Sequence, residues 1–280
     1  MSCILKINNI YNELTEIDRK ISDYIMVNKK IIPKLSVAEL SEKIKVSTAS
    51  IVRFSKKLGY DGFSELKIEL TKDVILEENQ YVYISKDENL NVKNIVEKIA
   101  DKNINIIKEN VILNDVSTIE KIVDLIYDAK NIYIFGVGGS ALLAIDLQLK
   151  LYRINKNPFA TRDTHAQLTV STNITKDDLA IVISYSGRTK EAIECTENAK
   201  ENGAKVISIT KYGQNEINRL SDYSLYVPNI EKNLREGAIS SRMATLMLID
   251  IIYISLIQKD VDGNRFNLER SQKTIKKFKV

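Results

Sequence analysis

Cysteine and histidine are scarce in this chain. Cys3 and Cys195 lie far apart, and His165 is the single histidine. That scarcity excludes a disulfide framework and a Cys/His zinc site, and it suits a reducing compartment. No leader is expected, because Met1-Ser2-Cys3-Ile4-Leu5-Lys6 lacks the charged-then-apolar order of a signal peptide. No apolar run reaches the ~20 residues of a membrane span. The longest, Leu246 to Ile257, is interrupted by Asp250 and reads as a buried helix. A cytoplasmic protein without a membrane partner is expected. There is no internal repeat, no low-complexity tract and no strong charge bias, the net charge being +4.

What is present is the composition of a globular protein, 44% apolar and 28% charged, in 280 residues. That length accommodates two cores. Residues 1–77 read as helices alone. Ile17, Ile21, Tyr24 and Ile25 recur at helical spacing, then Val37, Leu40 and Ile44, with Pro33 between the two sets. Residues 78–114 read as a polar linker and a connecting helix from about Val92, with Ile95, Ile99, Ile106 and Ile107 on its apolar stripe. From residue 115 to 280 helices alternate with short apolar strands at 131–135, 179–184, 205–209 and 223–227. The fold class expected is α/β: an all-α N-terminal domain followed by a parallel sheet covered on both faces.

Within the first domain, Ser36-Val37-Ala38-Glu39 fits a capping box. The helix it starts ends near Ile44, Lys45-Val46 forms a turn, and Ser47 can cap the next helix. There Ile51, Phe54 and Leu58 share one face, Ser50, Arg53 and Lys57 another with Lys56 beside them, and Gly59 stops the helix. This is the arrangement that places a second helix in a DNA major groove. Between Lys43 and Tyr60 stand five cations (Lys43, Lys45, Arg53, Lys56, Lys57) and no acid, a patch suited to phosphate contacts. Ser47, Thr48, Ser50, Arg53, Lys56 and Lys57 are the candidate DNA contacts. The competing reading is a solvated amphipathic helix in a bundle; cap, turn and charge together outweigh it.

The segments Leu14–Ile25, Leu35–Leu40 and above all Val46–Lys67 resemble the N-terminal domain of the MurR/RpiR family of transcriptional regulators. Two positions depart from the common pattern. Ser41 stands where alanine is usual, and Lys45 where the turn usually has glycine, which would strain a left-handed turn by ~1 kcal/mol.

In the second domain, Gly136-Val137-Gly138-Gly139-Ser140-Ala141 follows a strand and opens a helix, as an anion-binding loop does. It also satisfies the dinucleotide pattern G-x-G-x-x-A. The ribose-binding acid that pattern needs has no good candidate; Asp163, after Pro158 and an irregular stretch, is nearest. Ser184-Tyr185-Ser186-Gly187-Arg188-Thr189 then forms a second hydroxyl-rich loop before a helix. Alone it reads as a turn with a threonine cap; beside the first loop it reads as half of a phosphate site.

These loops, with Gly237-Ala238-Ile239-Ser240-Ser241-Arg242-Met243-Ala244, resemble the SIS (sugar isomerase) domain over residues 115–255. The resemblance implies a flavodoxin-like fold and a phosphorylated-sugar effector. It implies Gly138, Gly139, Ser140, Ser184, Ser186 and Thr189 around the phosphate, with Glu236 toward the sugar. It implies no cofactor and no metal. A homodimer or homotetramer would present two helix-turn-helices to successive half-sites of double-stranded DNA. The alternative is a sugar-phosphate isomerase or etherase with an appended DNA-binding domain, for which Glu236 and His165 are the candidate acid/base groups. A dinucleotide-sensing regulator is a third class. The DNA-binding domain favours sensing over turnover.

Overall fold

The computed structural model describes residues 3–11, 14–79, 91–229 and 238–278, in two compact units, Met1–Ile95 and Val96–Val280. Each unit has its own core.

The first unit contains helices α1 (Cys3–Ile10), α2 (Glu16–Asn28), α3 (Val37–Ile44), α4 (Thr48–Lys57) and α5 (Phe63–Asn79), with a 3-10 turn at Ile32–Lys34. Three starts are closed by hydroxyls. Thr15 caps α2, Ser36 and Glu39 form the reciprocal capping box of α3, and Ser47 caps α4. Ile21, Ile25, Leu40, Ile51, Phe54, Leu66 and Leu70 are fully buried together. Lys45 ends α3 at φ 58°, the left-handed conformation expected at that position. The Ser41 hydroxyl donates to Val46 O at 2.5 Å across this turn, so the two departures from the family pattern meet at one place.

In the second unit, α6 (Val92–Leu113), whose first four residues belong to the first unit, and α7 (Val116–Asp128) precede a five-stranded sheet. The strands are β1 (Ile132–Phe135), β2 (Pro158–Ala160), β3 (Leu179–Ile183), β4 (Lys205–Lys211) and β5 (Tyr223–Val227). Between and after them run α8 (Gly139–Arg153), α9 (Thr164–Ser171), α10 (Lys190–Glu201), α11 (Glu216–Leu220), α12 (Ile239–Lys259) and α13 (Val261–Lys276). All pairings are parallel, in the order β2-β1-β3-β4-β5. Alternation along each strand feeds two cores. Ile134, Ile181, Ile183, Ile207 and Ile209 pack with α7, α8 and α12, whereas Phe135, Ala180, Val182 and Val206 pack with α10 and α11.

Two elements differ from the expectation. β2 falls in the stretch read as irregular; it is three residues long, opens with Pro158 and lies at the sheet edge, where a missing N–H costs no ladder bond. The buried line of α6 is Ile106, Asn110 and Leu113, while Ile107 is exposed. Polar residues conceal that line: Asn110 donates to Ala244 O at 2.9 Å, and Asn114 bonds both Tyr226 N and Tyr226 O. α12 contains the stretch Leu246–Ile257, a helix as expected, and by length and composition alone it could cross a membrane. In this fold Ala244, Leu248, Ile249, Ile252 and Leu256 of α12 are in the sheet core.

Both cysteines are buried, and burial pushes the Cys3 thiol up to about 12 and the Cys195 thiol up to about 11. At neutral pH neither supplies a thiolate.

Candidate nucleic-acid interface and effector site

α4 is held from inside by its own serines. Ser47 Oγ accepts from Ser50 N at 3.1 Å and lies 2.8 Å from Ser50 Oγ, and the Arg53 guanidinium donates to Ser50 Oγ at 3.3 Å. Ser50 is 7% exposed, so it faces the domain and steadies Arg53 rather than projecting outward. Thr48, Arg53, Lys56 and Lys57 are exposed, as are Lys43 and Lys45. Lys57 forms an ion pair with Asp18 of α2 at 3.1 Å. Burial works against ionisation of Asp18, but hydrogen bonds from Lys57 and Thr15 outweigh it and hold the carboxyl below its usual range. The acid-free run in sequence is therefore not acid-free in space.

The strand order of the second unit reverses between β1 and β3, the point where open α/β sheets bind ligands beyond the carboxyl ends of their strands. The two expected loops sit there, one after Phe135 and one after Ile183, on neighbouring strands. The glycines of the first loop differ in purpose. A Cβ on Gly136 would lie 2.8 Å from Ser140 O; Gly138 has φ 61°; Gly139 has neither constraint and faces open space. Gly138 starts α8 without a side-chain cap. Ser140 is half-buried, and its amide donates to Val137 O at 3.2 Å.

In the second loop Ser184 is 3% exposed, and its hydroxyl lies 3.3 Å from Thr189 Oγ1. Thr189 precedes α10 but makes no side-chain cap, contrary to the simple turn-and-cap reading. Ser186 Oγ accepts from Arg188 N at 3.2 Å, which leaves its proton available to an acceptor. Gly187 has φ 64°, and a Cβ there would come 2.1 Å from Asn215 Oδ1. Orphan amides at two helix starts, with hydroxyls beside them, can take an anion.

Glu236 and Gly237 lie outside the described residues. His165 is exposed on α9, and Asp163 caps that helix by accepting from Ala166 N at 3.1 Å, which occupies the acid a ribose would need. Sequence reasoning missed Gln167 and Asn215. Each is a buried carboxamide braced against one loop, Gln167 on Gly136 and Asn215 under Gly187. Neither belongs to a spacing pattern that could have singled it out.

Residues 1–75 match the helix-turn-helix domain of the rpiR family, and residues 125–255 match the SIS domain. An uncharacterized HTH-type transcriptional regulator of Caldanaerobacter subterraneus subsp. tengcongensis is 36% identical over 98% of this chain and 97% of its own. Among solved structures, Vibrio vulnificus NanR complexed with ManNAc-6P covers 100% of both chains at TM-score 0.65 and 22% identity. The sugar isomerase domain of an RpiR transcription factor from Sphaerobacter thermophilus covers 63% of this chain and 97% of its own, at TM-score 0.57 and 17% identity. With a helix-turn-helix unit followed by a parallel-sheet SIS unit, this chain belongs to the RpiR family of helix-turn-helix transcriptional regulators.

Proposed function

We propose that the protein binds double-stranded DNA through α4 and that a phosphorylated sugar at the β1 and β3 loops changes that binding. Residues 1–77 would be the DNA-binding domain and 115–280 the effector domain, joined through 78–114. The observation that carries the effector reading is the pattern of helix starts. The helices after β2 and β4 are closed by Asp163 and Asn215, whereas those after β1 and β3, like α12 after β5, begin with no side-chain cap. The uncapped starts after β1 and β3 are at the switch point, beside Ser140, Ser184, Ser186 and Thr189. A dianionic phosphate there gains charge-assisted hydrogen bonds. NanR, of the same fold, is complexed with a sugar phosphate, which agrees with this reading.

On the DNA side, Thr48, Arg53 and Lys56 are the outward candidates, with Ser47 and Ser50 shaping the helix start and Lys57 shared with Asp18. The working form is a cytoplasmic homodimer or homotetramer that places two such helices on successive half-sites. Effector binding shifts the arrangement of the SIS units; moving occupancy from 1:99 to 99:1 needs ~5.5 kcal/mol of preference for one state. The effector domain works without turnover, Glu236 holding the sugar rather than moving a proton.

The test selects a duplex from a random library and measures its affinity across phosphorylated sugars and their unphosphorylated counterparts. One phosphorylated sugar should change DNA affinity by about tenfold or more, with the free sugar inert. No change with any member of the panel contradicts the proposal. Conversion of an aldose or ketose phosphate that disappears in Glu236→Gln identifies an enzyme instead.

A further inference from the structure

Gly136 and Thr161 are the first residues past the ends of β1 and β2, and one side chain holds both. Gln167 on α9 is 3% exposed. Its Oε1 accepts from Gly136 N at 3.0 Å, and its Nε2 donates to Gly136 O at 2.8 Å and to Thr161 O at 2.7 Å. Both N–H groups and the carbonyl of the carboxamide are thus engaged in the interior. Gly136 has no room for a side chain of its own, since a Cβ would meet the backbone of Ser140. The root of the glycine loop is therefore fixed from outside, two residues before the turn at Gly138.

We propose that Gln167 is a positioning residue of the anion site, clamping Gly136 so that the loop through Gly138, Gly139 and Ser140 is ordered before the anion arrives. This rests on the reading of the two loops as a phosphate site. Gln167 touches no ligand. Its contribution is preorganisation: without the clamp, ordering the loop is deducted from binding.

Glutamate at this position keeps the shape but changes the hydrogen bonding. An ionised carboxylate accepts from Gly136 N yet faces two carbonyl oxygens with no proton to donate; protonation returns one donor. In that setting the carboxyl titrates above the ordinary ~4.3. Methionine has similar length and donates nothing at any pH.

The probe is inorganic phosphate, titrated into the full chain from about pH 8 down to about pH 5.5. At the upper limit Gln167→Glu should bind at least tenfold more weakly than the parent, and the gap should narrow as pH falls. Gln167→Met should stay equally weak throughout. Each variant is compared with the parent at the same pH, so ionisation of phosphate and of the nearby Asp163 and His165 cancels. Parent-like affinity of Gln167→Glu at pH 8, or a gap that ignores pH, overturns the clamp. If the variants do not fold, the unsubstituted protein decides: without phosphate the Gln167 side-chain amide protons should already exchange slowly with solvent, and fast exchange overturns the proposal. Equal phosphate binding by the parent and Ser186→Ala would instead remove the two-loop site, and the clamp's purpose with it.

Discussion

The two units present the helices at their candidate sites in opposite ways. In the first, α2, α3 and α4 are closed at their starts by Thr15, Ser36 and Ser47, and the exposed chemistry is carried by side chains along α4. In the second, α8 and α10 begin open, and the chemistry offered is backbone amide with hydroxyls around it. A unit that reads DNA through side chains should suffer when a side chain is removed. A unit that holds an anion on its backbone should suffer when a Cβ is added.

Gly187→Ala carries the largest expected effect. The methyl would need φ 64° and the space of Asn215 Oδ1, so it combines a left-handed cost of ~1–2 kcal/mol with overpacking of ~1–3 kcal/mol. Thermal or chemical unfolding should show a loss within that combined range, together with loss of effector binding. A stability equal to the parent's would mean the loop is softer than its packing implies.

Arg53→Ala comes next. Arg53 is exposed and steadied by Ser50, so its loss should weaken binding to the selected duplex by ~1–3 kcal/mol with the fold intact. Lys56→Ala should instead flatten the salt dependence by about one unit if it contacts phosphate. Unchanged affinity and salt slope in both variants would remove α4 from the interface.

Gly139→Ala sharpens the contrast because its two effects oppose. Alanine is the better helix former by ~0.5–1 kcal/mol, and a methyl there meets nothing, so the fold should hold or gain. The same methyl adds bulk to the loop proposed to hold the anion, so sugar-phosphate affinity should fall. A variant that is as stable as the parent and binds as well would mean the first loop is a turn only.

Asp18→Asn has the smallest expected effect and the opposite sign. It releases Lys57 from its ion pair, so DNA affinity should rise modestly and depend more steeply on salt. The Asp18 carboxyl is held below its usual range, so its contribution to folding is present above the unfolded pKa and is lost as pH falls through the lowered folded value. Acid unfolding of Asp18→Asn should accordingly begin from a lower plateau and show a shallower pH dependence.

What could be read from sequence follows from range. Capping at Ser36 and Ser47, the left-handed Lys45 turn and the central strands were legible because neighbours within a few residues decide them. β2 was not, since three residues led by proline carry no periodicity. The buried line of α6 was misread because Asn110 and Asn114 donate to carbonyls more than a hundred positions away. The same holds at the sites. The glycine and serine loops stood out by composition, whereas the Asp18–Lys57 pair and the Gln167 clamp exist only once separate segments of the chain meet. Ser50 lay on the predicted outer face yet is buried, because its hydroxyl is shared between the cap and Arg53.

The central claim is that a phosphate is held on open helix starts, and calorimetry on the parent and Ser186→Ala tests it most directly. Each protein is titrated with the sugar phosphate that alters DNA affinity and with its free sugar. A hydrogen bond to a charged group contributes ~1.5–3 kcal/mol, so Ser186→Ala should lose roughly tenfold or more for the phosphorylated ligand. The free sugar should bind the parent far more weakly, and the substitution should leave it unaffected. Equal binding of free and phosphorylated sugar, or phosphate binding untouched in Ser186→Ala, would contradict the account.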